Sequence, residues 1–450
     1  MPASFHPPAR RAAAFLILLA AAVPAARARE AVDIAAAAAQ AAALLKEHAG
    51  IAFEPAPPPV RAATPAELQA VAEREQETLQ RALLAPEQAK ILARKTAEQL
   101  AQSIHGKYAI GEREILVLPD TLERTARAVG LDAGERDDLL RIVLVHELVH
   151  ASQDLHHRAF RRLEAARNAE ALLAFGAVIE GHAEFVSRRV ASKAGLSERV
   201  LALAVRSSAG MPVNDAKQSL AAGVQEIFHL QYVKGRAFFE HLYATGGDAA
   251  VAAALGDRWP ADTSVILHPE RFFAPPGGGA IDWDRVLAGA DGPLAGWEVS
   301  KAPLGEGIFR TGMAMYGFPK ERVDAVLAGF VDGRSWTCKS GTKDLTLLAG
   351  RFKDAAAREA YEALDREGMR RLADRKILTG FREGPLDLGG GRTGKETRLT
   401  LTLLGQAMAL YHVEYAAGPA VVGVQTMSER EAGETARKVL ERVAGPLGAD

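Results

Sequence analysis

Cysteine is almost absent from this sequence: Cys338 is the single one among 450 residues. An internal disulfide is therefore excluded, and so is a metal site built from several thiolates. The fold must be stabilised by packed apolar side chains, and a metal ion would have to be bound by histidine and carboxylate groups.

An excess of either charge is also missing. The chain has 55 lysines and arginines and 56 aspartates and glutamates, which gives a formal net charge of −1. Nucleic-acid binding depends on basic side chains that neutralise phosphates, so we expect no nucleic-acid partner. Hydrophobic residues make up 48% of the chain and charged residues 25%. This composition is typical of a globular protein, and the length favours two domains.

The N-terminus lacks an apolar run long enough for a transmembrane helix. Two arginines precede the apolar run 12–23, which is shorter than the roughly 20 residues needed to cross a bilayer. A small-x-small sequence at 26–28 follows, as at a signal-peptidase cleavage site. These features predict a signal peptide at 1–28, export to the periplasm or the medium, and no stable membrane span after cleavage.

Changes of pattern divide the rest of the chain. Residues 29–63 are rich in alanine and proline, and residues 64–300 have a mostly helical pattern with a small strand signal around 114–118. From 301 to 450 strand and helix patterns alternate, which predicts a small α+β domain with a ferredoxin-like topology as one candidate. Its strands are predicted at 344–352, 397–404 and 410–424, and its helices at 353–374 and 428–444.

The segment His146-Glu147-Leu148-Val149-His150 carries the most informative chemical pattern. Residues four apart lie on one face of a helix, so both imidazoles can reach a single ion. Zinc binds neutral imidazole nitrogens, and a catalytic zinc site needs only one further protein ligand. Glu147 lies beside the pair, where its carboxylate can accept a proton from water activated by the metal. Burying these three groups in an apolar helix would cost several kcal/mol unless they share a partner.

Two sources of a third ligand compete. His156 follows His150 by six residues, but a continuous helix would place it about 9 Å further along the axis and off the same face. Glu180 and Glu184 lie four residues apart in a second helical segment. One of these carboxylates can bind the metal while the other accepts the free ring N–H of a liganding histidine. We therefore prefer the glutamate pair to His156.

The motif HELVH followed by a glutamate on a second helix resembles the gluzincin group of zinc metallopeptidases, the thermolysin-like arrangement. Four segments within about 108–333 also resemble a poorly characterised family of exported bacterial proteins: HELVHASQDLHH, AVIEGHAEFV, YVKGRAFFEHLYATGG and TSVILHPERF. The resemblance implies that Glu180 is the third zinc ligand, that Glu184 supports a liganding histidine, and that the strand 114–118 lines the substrate cleft. It also implies a mostly helical, zincin-like catalytic domain with a small strand layer at 64–300, before the α+β domain at 301–450.

One departure from the gluzincin pattern concerns the orientation of the histidines. Ile179 precedes Glu180, at the position where thermolysin-like sites have an asparagine. Asp154 follows His150 by four residues on the same helix. We therefore take Asp154 as the candidate for orienting that imidazole.

A hydrolase of this type also needs a group that stabilises the oxyanion. His268 is one candidate, because the proline after it holds the backbone extended and a loop side chain is easily presented to a cleft. Tyr232 is the other candidate.

Together these features predict an exported zinc-dependent hydrolase, a metallopeptidase that cleaves peptide or protein substrates with Glu147 as the general base. Two other functions stay open: an exported binding or assembly protein that keeps a zincin fold without turnover, and hydrolysis of a non-peptide amide or ester. The purely structural alternative is that His146 and His150 are core histidines with satisfied hydrogen bonds and that the glutamates lie on a solvated helix face.

Overall fold

The computed structural model of the chain describes residues 33–81, 86–201, 203, 218–274, 281–403, 406–427 and 430–448. These residues combine helices with two β-sheets, so the predicted α+β class is confirmed. The predicted signal peptide, 1–28, lies outside the described residues. None of the described helices combines the length and the hydropathy needed to cross a membrane.

Within these residues the helices are α1 (Ile34–Ala49), α2 (Pro65–Gln80), α3 (Pro86–Ser103), α4 (Pro119–Val129), α5 (Ala133–His157), α6 (Ala159–Ala165), α7 (Ala169–Lys193), α8 (Gln218–Phe228), α9 (Gly235–Leu255), α10 (Thr263–Leu267), α11 (Trp283–Leu287), α12 (Glu306–Met315), α13 (Lys320–Leu327), α14 (Ala355–Asp374) and α15 (Arg430–Leu447). The strands are β1 (Val60–Ala62), β2 (Gly106–Ala109), β3 (Glu114–Val117), β4 (Glu298–Pro303), β5 (Phe330–Ser340), β6 (Lys343–Phe352), β7 (Leu378–Asp387), β8 (Thr393–Leu403), β9 (Gln406–Ala417) and β10 (Ala420–Thr426). A π-helical turn, His229–Lys234, joins α8 to α9.

Helix α5, which carries His146 and His150, and helix α7, which carries Glu180 and Glu184, both begin at a side-chain cap. The Asp132 carboxylate accepts a hydrogen bond from the backbone N–H of Glu135 at 2.9 Å, and the Glu135 carboxylate accepts one from the N–H of Asp132 at 3.1 Å. This capping box satisfies two backbone donors that the helix cannot pair internally. At the start of α7 the Asn168 side chain accepts a hydrogen bond from the N–H of Ala171 at 2.8 Å.

Helices α5 and α7 pack antiparallel, because Gln153 contacts Ile179 whereas His146, two turns earlier, contacts Glu184. Helix α1 lies against both of them and buries Leu45 in the same core. Part of the alanine- and proline-rich segment 29–63 therefore packs into the core of the helical region.

A small three-stranded sheet lies beside α5. Its order is β1-β3-β2, with β1 parallel and β2 antiparallel to β3. The strand signal at 114–118 thus corresponds to β3, the central strand, whose two sides are both paired. The edge of this sheet that contacts α5 by a hydrogen bond belongs to β2.

The C-terminal region is built on a seven-stranded antiparallel sheet of order β4-β5-β6-β10-β9-β8-β7. A ferredoxin-like topology has four strands, so that candidate is wrong for the described residues. The run 410–424 was predicted as one strand, but Gly418, with a φ of 50°, turns the chain between β9 and β10. One face of the sheet shares a core with α11 and α15, and the other face packs with α12, α13 and α14.

Candidate metal centre

The face of α5 that looks toward α7 carries the two histidines of the motif. One helical turn separates His146 from His150, and their ring centroids lie 4.6 Å apart at an interplanar angle of 86°. The Nε2 atoms of the two rings are 3.0 Å apart. Both side chains are largely buried in the apolar interior, so their nitrogens point at a space from which most water is excluded.

Helix α7 brings a carboxylate to the same point. The Oε2 atom of Glu180 lies 3.3 Å from Nε2 of His146 and 3.3 Å from Nε2 of His150. One ligand atom from each of these three residues lies within 4.8 Å of the others, so the group could hold a metal ion. His156, the competing candidate, is exposed near the end of α5 and is not one of the three.

The electrostatics of this cluster favour a positive charge. Burial lowers the pKa of His146, but its hydrogen bond with Glu180 and the nearby carboxylates Glu147 and Glu184 outweigh burial and raise that pKa to about 9. Burial raises the pKa of Glu180, but His150 and His146 outweigh it and lower that pKa. Three carboxylates around two imidazoles therefore attract a cation, whether a proton or a metal ion.

Glu184 occupies the place predicted for a residue that supports a liganding histidine. It lies one turn after Glu180 on α7, and its Oε1 atom is 3.6 Å from Nδ1 of His146. Its other oxygen is 3.8 Å from Nε of Arg188. Glu184 therefore faces the ring nitrogen of His146 that points away from Glu180, at a distance slightly too long for a hydrogen bond.

Glu147 is held by the edge strand of the small sheet. Its Oε2 atom accepts a hydrogen bond from the backbone N–H of Tyr108 on β2 at 2.6 Å, and the side chain is 8% exposed. The neighbouring Lys107 donates to Glu75 at 2.6 Å. Burial lowers the pKa of Lys107, but the charges of Glu75, Glu147 and Glu180 outweigh burial and raise it. Strand β2 thus contacts the motif glutamate, whereas β3, the strand that the resemblance implied would line the substrate cleft, is the central strand of the sheet.

The residue that contacts the outer nitrogen of His150 is Gln153 rather than Asp154. The Nδ1 atom of His150 lies 2.9 Å from Oε1 of Gln153. Asp154 instead accepts a hydrogen bond from the hydroxyl group of Tyr108 at 2.9 Å and lies 3.9 Å from Arg113. Asp154, four residues after His150, therefore faces β2, whereas Gln153, three residues after His150, faces α7.

Tyr232 reaches the cluster from the π-helical turn. Its ring is stacked along that of His146, with centroids 6.3 Å apart and an interplanar angle of 16°. Burial, and then the charge and hydrogen bond of Glu180, raise the pKa of Tyr232 well above its usual value. The hydroxyl group therefore stays protonated and can donate to an oxygen at the centre.

A close contact between helices places Tyr232 there. Gly235 opens α9 directly after the π-helical turn and touches Gly181 of α7, one residue after Glu180. A Cβ atom added to Gly235 would lie 2.2 Å from the carbonyl oxygen of Ala177, and one added to Gly181 would lie 2.2 Å from the backbone of Gly235. Only glycine allows the two backbones to approach this closely.

His268, the other candidate for oxyanion stabilisation, has different neighbours. Its Nε2 atom lies 2.5 Å from Oε1 of Glu306, which also accepts a hydrogen bond from Arg310 at 3.0 Å. These contacts tie the loop after α10 to the first turn of α12. Its hydrogen bond therefore lies at this junction, whereas Tyr232 lies beside His146 and Glu180.

Comparisons with known proteins add little to this geometry. No protein-family model matches the chain, and a search of curated proteins gives no match. Among solved structures, the chain is similar to a Chloroflexus aurantiacus protein described as a presumed hydrolase with a novel fold, at 18% identity and a TM-score of 0.39. The similarity covers 53% of this chain and 87% of the other. No functional argument follows from it, and the resemblance to gluzincins rests on the residues quoted above.

Proposed function

We propose that the protein is an exported zinc metallopeptidase whose metal is bound by His146, His150 and Glu180. The observation that carries the proposal is the convergence of two imidazole nitrogens and one carboxylate oxygen from α5 and α7. Ligand atoms about 2.0–2.1 Å from a tetrahedral zinc ion lie about 3.3–3.4 Å from one another. The distances of 3.0, 3.3 and 3.3 Å among these three atoms fit such an ion with little rearrangement.

When bound, zinc supplies a Lewis acid that polarises a carbonyl group and makes water more acidic. Glu147 supplies the base: it removes a proton from the attacking water and returns it to the leaving amine. The hydrogen bond from the backbone N–H of Tyr108 holds one carboxylate oxygen of Glu147 in place. The other oxygen is then left to carry the proton.

Tyr232 is the group that we assign to oxyanion stabilisation. It is half-buried and stays protonated beside Glu180, and its ring lies along His146, so its hydroxyl group can donate to an oxygen atom that develops negative charge. His268 is the weaker candidate, because its described partner, Glu306, belongs to the junction of α10 with α12 and is not one of the candidate ligands.

A peptide substrate is supported by the position of β2. This strand is at the edge of the described three-stranded sheet and lies beside Glu147. The N–H groups of Tyr108 and Ile110 are donated to Glu147 and Glu75, so an extended peptide would pair with this edge through its outward carbonyl groups, next to the proposed base. Export is supported by the basic residues, apolar run and small-x-small sequence of 1–28.

The proposal is tested by Glu147→Gln in the mature chain. We expect the variant to bind one equivalent of zinc, measured by elemental analysis, and to lose hydrolysis of unfolded proteins and peptide libraries by at least about 10³-fold. The amide keeps the shape of the carboxylate but cannot accept the proton. Full activity of this variant would refute the role of Glu147.

Glu180→Ala is the matched variant for the metal. We expect it to lose zinc and activity together, because two imidazoles alone form an incomplete site. Zinc bound by the wild-type protein without cleavage of any peptide would instead favour a binding protein that keeps the site without turnover. Wild-type protein that binds no zinc would contradict the metal centre itself.

A further inference from the structure

Gln153 lies directly behind the proposed metal ligands, and the mechanism above does not use it. It follows His150 by three residues on α5, and its side chain is fully buried, at 0% exposure. Its amide group has three polar neighbours: Nδ1 of His150 at 2.9 Å, the carbonyl oxygen of Ile179 at 2.8 Å and Nδ1 of His182 at 3.1 Å. A buried amide depends on such partners, so they decide which way it faces.

The carbonyl group of Ile179 fixes the orientation of the amide. A carbonyl oxygen can only accept a hydrogen bond, so the atom of Gln153 beside it must be the nitrogen, Nε2. If the amide were turned over, Oε1 would face the carbonyl oxygen and two buried acceptors would have no proton between them. The second hydrogen of Nε2 is donated to Nδ1 of His182. The oxygen Oε1 is therefore the atom that faces His150.

This orientation determines which nitrogen of His150 carries a proton. Because Oε1 of Gln153 only accepts, Nδ1 of His150 must donate. A neutral imidazole with its proton on Nδ1 has its lone pair on Nε2. In His150 that nitrogen is the one that lies 3.0 Å from His146 and 3.3 Å from Glu180.

We propose that Gln153 is a positioning residue that holds His150 as the Nδ1–H tautomer and so leaves its Nε2 atom available to the metal. The inference rests on the proposed function, because it gives Nε2 of His150 a ligand role. The same amide is anchored to the backbone of Ile179, the residue before Glu180. One side chain thus orients a ligand on α5 and ties it to the segment of α7 that carries another.

The test compares Gln153→Met with Gln153→Glu in the full mature chain. Both variants lose the donor to Ile179 and His182, but only the glutamate keeps an oxygen that can accept from Nδ1 of His150. We expect methionine to weaken Zn²⁺ binding about 10–100-fold, measured by competition with a chromophoric chelator, and glutamate to restore most of that loss. Equal losses in both variants would mean that Gln153 only joins the two helices, and would overturn the proposal.

Asp154→Asn is the matched control on the same helix turn. Asp154 accepts a hydrogen bond from Tyr108 and does not contact His150. The Zn²⁺ affinity of the Asp154→Asn protein should therefore stay within about threefold of wild type. A larger loss in this variant than in Gln153→Met would assign the positioning role to Asp154 and contradict the inference.

The tautomer can also be measured without any substitution. In wild-type protein labelled with ¹⁵N-histidine, NMR identifies the protonated nitrogen of each ring. We expect His150 to carry its proton on Nδ1 in the zinc-loaded protein, and a proton on Nε2 would overturn the proposal. Failure of the wild-type protein to bind Zn²⁺ would count against the proposed function instead, and the metal-free spectrum would still report the tautomer.

Discussion

Tyr232 meets the candidate metal centre through two separate parts of its side chain. The ring lies along the imidazole of His146, and the hydroxyl group lies near enough to Glu180 for that carboxylate to raise its pKa. Tyr232→Phe keeps the ring and removes the hydroxyl group. We expect kcat/KM for peptide hydrolysis to fall about 10²–10³-fold, the usual cost of one oxyanion donor, while the affinity for Zn²⁺ changes little.

His268→Gln is the companion to that variant. Its partner Glu306 lies at the junction of α10 and α12, so we expect kcat/KM to stay within about threefold of wild type. If the rate instead falls further in His268→Gln than in Tyr232→Phe, the oxyanion role belongs to His268.

Residue spacing along the sequence indicated the candidate metal ligands but not Gln153, the residue behind them. His146, Glu147 and His150 share a five-residue motif, and a glutamate pair four residues apart pointed to α7. Gln153 was missed because its position three residues after His150 belongs to no motif. Its importance depends on Ile179 and His182, which come from another element.

Between elements, the contact of α7 with α9 requires glycine on both sides. Gly235→Ala would place a methyl group 2.2 Å from the carbonyl oxygen of Ala177, so the helices must move apart. We expect the free energy of unfolding to fall by about 1–3 kcal/mol. We also expect activity to fall, because Tyr232 lies three residues before Gly235. Urea unfolding and peptide hydrolysis measure the two effects.

Gly312→Ala is the control for that substitution. Gly312 also lies inside a helix, α12, but a Cβ atom added there meets no heavy atom within 4 Å. Alanine should therefore stabilise the protein by about 0.5–1 kcal/mol through its helix propensity. A loss of stability as large as that of Gly235→Ala would show that the helix contact is not the cause.

Helices and strands with a strong periodic pattern were predicted from the sequence, whereas irregular edge strands and the pairing between strands were not. The helix 353–374 and the strand 344–352 agree closely with α14 and β6. Strand β7 was missed because it is an edge strand, mostly exposed, that contains two glycines and a proline. The pairing of β6 with β10 could not be predicted, since it depends on contacts far apart in the sequence.

Across the whole molecule, Glu170 connects the helical region to the segment that leads into α12. It is fully buried, and its Oε1 atom accepts hydrogen bonds from the backbone N–H of Thr263 at 2.7 Å and from its hydroxyl group at 2.5 Å. The same hydroxyl group accepts from the N–H of Gly307 at 2.7 Å. Burial outweighs these hydrogen bonds and raises the pKa of Glu170 to about 7.

This raised pKa predicts a pH-dependent stability. Below pH 4.5, the ordinary value for a glutamate, the side chain is protonated in both states and its contribution is fully present. Between pH 4.5 and about 7 the unfolded chain loses the proton while the folded chain keeps it. The free energy of unfolding therefore falls over this range, by about 3 kcal/mol in total. Above about pH 7 this contribution of Glu170 no longer changes.

Glu170→Gln removes that titration without changing the shape of the side chain. We expect the free energy of unfolding of wild type, relative to this variant, to decrease between pH 5 and pH 8. The measurement is urea unfolding of both proteins with a chelator present, so that metal release does not contribute. An identical pH dependence in the two proteins would show that Glu170 does not titrate in this range.

The proposed metal ligands all come from one short stretch of chain, from His146 to Glu180, in which two helices fold back on each other. Such local contacts close small loops and form early, whereas pairing Arg351 with Ala420 in the large sheet must close a loop of nearly seventy residues. The proposed metal site therefore needs a much shorter loop closure than the pairing of β6 with β10. A chain in which this strand pair has not yet formed could then already capture its ion.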